Sequence, residues 1–466
     1  MRDLDAIIKA YDVRGVVPDQ LDESLARDVG AAFVQVVAAA PSAGGPGAIV
    51  VGHDMRPSGP DLVAAFADGV TGQGCDVIRI GLCSTDGLYF AAGRLGLPGA
   101  MFTASHNPAQ YNGIKLCRAG AAPVGEDTGL ADIREAVRQG PIPDADVPPG
   151  TVRDRDMLAD YAAFLRSLVD LSGIRPLRVV VDAGNGMGGY TVPAVLGTRA
   201  GLPELPLMIV PMYFELDGTF PNHDANPIEP ANLVDLQQRV VALGADIGLA
   251  FDGDADRCFV VDERGEAVSP SAITGLIAEK VLAAEPGATI IHNLITSRAV
   301  PELISELGGV PERTRVGHSY IKDTMARTGA AFGGEHSGHF YFRDFWRADS
   351  GMLAAMHTLA ALGRTEPGTA LSQIMTKYER YVASGEINTS VADVGAAIAA
   401  VRDAFTGRGD VDELDGLTVS TPQWWFNVRP SNTEPLLRLN AEAADDATLA
   451  AIRDEVLAVI RTGVDA

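Results

Sequence analysis

The chain has little of what marks several large protein classes. Only four cysteines occur in 466 residues, Cys75, Cys83, Cys117 and Cys258. No two form a C-x-x-C pair, and their density is far below that of a disulfide framework, which fits a reducing compartment. Basic residues are scarce: 37 Lys and Arg stand against 61 Asp and Glu, a formal net charge of -24. That balance argues against nucleic acid or an anionic membrane as a partner. It leaves room for a small anionic substrate, because a local cluster of Arg and Lys can oppose the global field. No apolar run is long enough to span a bilayer, no basic-then-apolar leader precedes the first polar motif, and no low-complexity tract interrupts the chain. The expectation is a cytoplasmic protein. What remains is ordinary globular composition, 47% hydrophobic and 21% charged, in a chain longer than one core usually supports.

One cadence occurs three times. "GAIVVGHDMRPSG" (47–59), "LRVVVDAGNGMGG" (177–189) and "ATIIHNLITSRAV" (288–300) each open with a short β-branched run. Each then passes through a polar or glycine-bearing loop into a helix-like stretch such as "GPDLVAAFADGVTGQG". Short apolar strands alternating with helices predict βα units around mostly parallel sheets. Seams are expected at "GPIPDADVPPG" (140–150), "DERGEAVSP" (262–270) and "LGRTEPG" (362–368). The last hundred residues differ. "WWFNVRPSNTEPLLRLNAEA" reads as strand, loop, strand, and "DDATLAAIRDEVLAVI" as an amphipathic closing helix, a smaller α+β domain.

Two stretches carry the strongest chemical signal. "TASHNP" (103–108) sets Ser105 beside His106 at the end of the apolar run "LPGAM". A turn is the plain alternative, since Asn-Pro favours turn initiation, and neighbours on an extended loop rarely point the same way. In "LAFDGDADRCFVV", Asp252, Asp254 and Asp256 alternate. Carboxylates so close repel one another unless a cation neutralises them. An EF-hand would put them at loop positions 1, 3 and 5 with Glu263 at 12, but position 6 is Arg257 where glycine is required. The flanks also read as strands. A hairpin-like loop offering three hard oxygen ligands to Mg²⁺ is the expectation, with a solvated acidic turn as its alternative.

Two further loops are weaker alone. "GGEHSGHF" (333–340) places Glu335 and Ser337 between glycines, either a plain turn or a grip on ligand hydroxyls. "RPSNTEP" (429–435) gathers Arg429, Ser431, Asn432 and Thr433, either an exposed turn or the donor set of a phosphate clamp.

Seven motifs in order, "KAYDVRG" (9–15), "TASHNP", "YNGIK" (111–115), "DGDADR" (252–257), "GHSYIK" (317–322), "GEHSGH" (334–339) and "RPSNTEP", make the chain resemble the α-D-phosphohexomutase superfamily. Within it the resemblance is to the phosphomannomutase/phosphoglucomutase group. That implies an α/β fold of three related α/β domains, mixed sheets sandwiched by helices, plus a smaller C-terminal α+β domain around a central cleft. The corresponding segments are 1–150, 151–262, 263–365 and 366–466. The implied activity is reversible exchange of hexose 1-phosphate and hexose 6-phosphate through a phosphoserine and a 1,6-bisphosphate.

Carried over residue by residue, the resemblance makes Ser105 the phosphoryl carrier and a metal ligand beside Asp252, Asp254 and Asp256. Arg257 pairs with the phosphate. Lys115 serves as acid and base, with His106 in support. Tyr11, Arg14, His318, Glu335, Ser337, His339, Arg429, Ser431, Asn432 and Thr433 contact the sugar phosphate, and Lys322 follows His318 closely. The implied cofactor is Mg²⁺, with glucose 1,6-bisphosphate or mannose 1,6-bisphosphate as activator. The implied partners are small hexose phosphates, for a monomer or homodimer. One departure is Ile295, which stands where many relatives carry lysine. A metal-dependent phosphatase, a silent sugar-phosphate binder and phosphoglucosamine mutase are the competing readings.

Overall fold

The computed structural model describes residues 2–38, 47–430 and 436–462. They form two compact bodies, one drawn from 1–268 with 337–372 and one from 269–336 with 373–466.

The first body contains two mixed sheets. In one, β1 (Val13–Val16), β2 (Ala48–His53), β3 (Asp76–Leu82), β4 (Gly99–Phe102), β5 (Tyr111–Cys117) and β6 (Val152–Asp154) lie in the order β1-β5-β4-β2-β3-β6. The β2, β3, β4 and β6 pairings are parallel, whereas β5 runs antiparallel to β1 and β4. The second sheet orders β7 (Leu177–Asp182), β8 (Leu207–Met212), β9 (Ile247–Phe251), β10 (Cys258–Val261) and β11 (Ala267–Val268) as β11-β10-β9-β7-β8. Two of the three β-branched runs read from the sequence fall on β2 and β7, and each is followed by a helix, Gly59–Gly72 and Gly188–Val195; the third falls on a strand of the second body, Thr289–Asn293, before the helix Ala299–Glu306. Such strands are buried on both faces because helices cover them, which explains their unbroken apolar character.

In the second body β12 (Thr289–Asn293) pairs in parallel with β13 (Val310–Thr314) and β14 (Phe332–Gly334). The hairpin of β15 (Phe340–Phe342) and β16 (Ala348–Asp349), with the buried helix Gly351–Gly363, belongs to the first body. The remaining strands, β17 (Val382–Ser390), β18 (Asp410–Asp412), β19 (Leu417–Ser420), β20 (Trp424–Pro430) and β21 (Leu436–Ala443), make an antiparallel sheet ordered β17-β21-β20-β19-β18. Helices Val394–Phe405 and Asp446–Thr462 bury Phe405, Ile452 and Val456 against Phe426 and Leu439. This is the smaller α+β domain expected from the changed pattern. All four cysteines are buried as thiols. No helix among the described residues is long and apolar enough to cross a membrane.

Candidate active site

Ser105 follows β4 and is almost completely buried. Its φ of +49° places it in the left-handed region, rarely adopted by a residue with a side chain. The expectation that adjacent side chains diverge assumed an extended backbone; this left-handed turn removes that alternation. Ser105 Oγ therefore lies 3.2 Å from His106 Nδ1 and donates to Asp252 Oδ2 at 2.8 Å. The Ser105 amide donates to Thr103 Oγ1 at 2.8 Å, which braces the turn.

The three aspartates occupy the turn of the β9–β10 hairpin, so the strand-flanked loop is present and the helix-flanked EF-hand is not. Their ligand oxygens approach within 4.8 Å of one another, all on buried residues. Lys115, on β5, donates from Nζ to Asp254 Oδ2 at 2.7 Å and to Asp256 Oδ2 at 2.6 Å. Arg257 Nε donates to Asp252 Oδ2 at 2.9 Å. Thr85, first residue of the helix Thr85–Leu95, donates from Oγ1 to Asp254 Oδ2 at 2.6 Å and from its amide to the Asp254 carbonyl at 3.0 Å. Within the Asp252–Arg257 turn, three buried side-chain atoms make no hydrogen bond among the described residues: Asp254 Oδ1, Asp256 Oδ1 and Arg257 Nη2. Leaving such atoms bare costs free energy. Two hard oxygens beside a third carboxylate fit a divalent cation, and an unused guanidinium N–H fits an anionic oxygen.

Electrostatics follow the geometry. Burial pushes the Asp252 carboxyl up to about 8, with Arg257 pulling against it and Asp256 and Asp254 reinforcing the rise. Burial acts on Asp254 in the same direction, but the Lys115 ammonium outweighs it and holds that carboxyl well below its usual range. Burial disfavours the Lys115 charge; Asp254 and Asp256 win and keep it well above the usual lysine value. Burial, with Arg257 and Arg14 nearby, holds His106 well below its ordinary value. The described state thus contains a charged Lys115 and a neutral His106.

Other candidates gather around this centre. Arg14, on β1, is held by Asp12 and Asn107, next to His106. Tyr11 lies half-buried just before β1. His339 Nε2 stands 3.6 Å from Asp256 Oδ1, and its Nδ1 lies 3.0 Å from Ser337 Oγ.

A separate set lies in the second body. Glu335 Oε1 accepts from the Gly317 amide at 3.2 Å, so the "GEHSGH" and "GHSYIK" motifs meet. His318 opens the helix His318–Thr328, and its side chain lies outside the description; Lys322, on the same helix, is buried. Arg429, on β20, donates from Nη2 to Glu386 Oε2 at 2.6 Å. Ser431, Asn432 and Thr433 lie outside the described residues. Ile295 is buried in an apolar cluster with Leu294 and Trp425, so no cation comes from that position.

Asp54, Arg56, Thr85, Asp349 and Glu386 were not singled out from the sequence. The signal for the first pair was present: a charged couple two residues apart, just after a parallel strand of the Ser105 sheet, where ligand crevices form. Asp349 shares a cluster with Asp256 and His339, which only the fold brings together.

Comparison with known proteins agrees along the whole chain. The four phosphoglucomutase/phosphomannomutase domain models match in order: alpha/beta/alpha domain I at 5–141, domain II at 159–265, domain III at 269–381 and the C-terminal domain at 386–459. "Phosphohexose mutases" of Xanthomonas campestris pv. campestris is 40% identical, covering 98% of this chain and 99% of its own. An Escherichia coli phosphomannomutase is 38% identical, over 97% and 98%. A crystal structure of a Burkholderia thailandensis phosphoglucomutase/phosphomannomutase family protein superposes with a TM-score of 0.86 at 34% identity, over 99% and 98%.

Proposed function

The chain belongs to the phosphoglucomutase/phosphomannomutase family, and on that premise we propose that it interconverts hexose 1-phosphate and hexose 6-phosphate by way of Ser105. It is a mutase of the isomerase class, with phosphomannomutase activity and phosphoglucomutase activity beside it. The single observation that carries the reading is Ser105 Oγ, buried in a left-handed turn and 2.8 Å from the first carboxylate of a cation-ready triad.

In the forward direction the P–O bond to Ser105 Oγ breaks and one forms to O6 of a hexose 1-phosphate. The 1,6-bisphosphate turns round, and Ser105 Oγ takes the phosphoryl group from O1. Phosphoryl transfer asks for positioning and charge neutralisation more than for a strong nucleophile. Asp252, Asp254 and Asp256 would hold Mg²⁺, which when bound supplies positive charge at the phosphoryl oxygens. Arg257 has a buried guanidinium N–H still unspent for that phosphate. Lys115, charged as described, gives a proton to Ser105 Oγ as its bond to phosphorus breaks and takes up the O6 proton in exchange; in the second transfer it relays the Ser105 hydroxyl proton to O1. His106, neutral and beside Ser105 Oγ, orients the phosphate.

Arg429, with Ser431, Asn432 and Thr433, binds the phosphate that does not react. Glu335 and Ser337 hold the 3- and 4-hydroxyls, with Tyr11, Arg14, His318 and His339 completing the sugar-phosphate contacts. The test offers mannose 1-, glucose 1- and glucosamine 1-phosphate in parallel, with Mg²⁺ and glucose 1,6-bisphosphate. Isomerisation of the mannose and glucose esters is expected. Release of inorganic phosphate with no isomer formed would overturn the reading in favour of a phosphatase.

A further inference from the structure

The Ser105 turn is strained, and something must hold it. Arg56, just after β2, is fully buried, and among the described residues its hydrogen bonds go neither to the aspartate triad's oxygens nor to Ser105 Oγ. Its fork is spent on the backbone instead. Nη2 donates to the carbonyls of Ser105 at 3.0 Å and Asn107 at 2.6 Å. Nη1 donates to those of Pro108 at 2.9 Å and Tyr111 at 2.7 Å. Four of its five N–H donors thus grip the carbonyls of one loop, and Nε faces Asp54 Oδ2 at 3.3 Å. The Arg56 amide also donates to Asp54 Oδ1 at 2.9 Å.

The guanidinium is enclosed from the second sheet's side of the same body. The Phe220 ring lies over it at 5.2 Å, and Gly218 passes so close that a Cβ there would stand 2.7 Å from Arg56 Cα. No other side chain presents a planar fork that can satisfy four convergent carbonyls; a lysine has three donors on a single point.

We infer that Arg56 is a positioning residue for phosphoryl transfer: its guanidinium fixes the 105–111 loop so that Ser105 Oγ stays aimed at the aspartate triad. The inference rests on Ser105 being the phosphoryl carrier. A reacting atom displaced by about 1 Å costs on the order of 100-fold in rate. Arg56 touches no reacting atom, so its loss should lower kcat and leave substrate binding nearly unchanged.

The test uses the full-length protein carrying Arg56→Lys, which keeps the charge opposite Asp54 and removes the fork. Because a buried unpaired carboxylate can unfold a domain, Arg56→Met with Asp54→Asn serves as a charge-neutral second variant. Each is measured for melting temperature, for kcat and KM with glucose 1-phosphate, and for the rate at which glucose 1,6-bisphosphate phosphorylates the enzyme. The expected result is a folded protein with kcat and phosphorylation rate down about 100-fold and KM within about threefold of wild type. A folded variant with kcat within threefold of wild type, or one losing only KM, would overturn the inference. Ser105→Ala is run alongside: if it retains turnover, the carrier reading fails, whereas an inactive Ser105→Ala beside a fully active Arg56→Lys sinks the Arg56 inference alone.

Discussion

The backbone of Gly253 rests against the carbonyl oxygen of Ser105: a Cβ added at Gly253 would stand 2.4 Å from it. The residue between the first two aspartates therefore has to be glycine for the carboxylate loop and the serine turn to meet. Gly253→Ala should force them apart by a few tenths of an ångström or more. The expected outcome is a fall in kcat of about 10- to 100-fold, with a stability loss of about 1–3 kcal/mol. Steady-state kinetics beside a melting curve checks both.

Asp254 takes three tethers, from Lys115, Thr85 Oγ1 and the Thr85 amide, and keeps one buried oxygen unspent. Asp254→Asn removes an anionic ligand at nearly constant shape. Mg²⁺ affinity, read by calorimetry, should fall by more than the ~10–100-fold typical of losing a mere supporting contact. Turnover should fall with it, and chelation of the wild type should abolish turnover until Mg²⁺ is restored. Full activity in exhaustive chelator would contradict a metal role for the triad.

Glu335 is anchored by the Gly317 amide and faces groups that mannose and glucose share in the proposed pose. Contacts to shared hydroxyls do not discriminate. Glu335→Ala should therefore lower kcat/KM for mannose 1-phosphate and glucose 1-phosphate by similar factors, and the wild type should use both within about 100-fold of each other. Loss of one sugar alone would show that Glu335 reads C2.

Asp86 offers a check on stability rather than chemistry. It is fully buried and accepts from Ser350 Oγ at 2.6 Å and Tyr161 Oη at 2.8 Å, with Ser84 on its other oxygen. Burial nonetheless pushes its carboxyl from 3.8 up to about 6, the hydroxyls pulling against the rise. A raised folded-state value means the folded protein binds the extra proton, so the stability it lends is fully present below 3.8 and is lost as pH rises through 6. The loss is about 3 kcal/mol across that window. Asp86→Asn, neutral throughout, should gain melting temperature relative to wild type between pH 4 and pH 7, and a difference that stays flat would contradict the burial account.

Much of this was legible in residue order. The β-branched runs at Ile49–Val51 and Val179–Val181 lie on β2 and β7, because parallel strands covered by helices must be apolar on both faces. The alternating aspartates between strand-like flanks identified an acidic hairpin loop, because three carboxylates so close favour a cation among them. The left-handed turn at Ser105 was not legible: nothing local forces a serine to positive φ, and the turn is held from 49 residues away by Arg56. Nor was the charge state of Lys115 legible, because Asp254 and Asp256 reach it only through the packing of β5 against the β9–β10 turn. Ile295 was legible as a departure, and its burial with Trp425 supplies the physical reason.

The most direct measurement places the phosphate. Wild type and Ser105→Ala are each incubated with glucose 1,6-bisphosphate and Mg²⁺, then read by intact mass and by peptide mapping, with turnover of glucose 1-phosphate recorded on the same samples. The expected result is one phosphate per chain, on Ser105, in the wild type alone, and loss of nearly all turnover in a Ser105→Ala protein that melts like the wild type. Phosphate on another residue, or near-normal turnover in Ser105→Ala, would contradict the account.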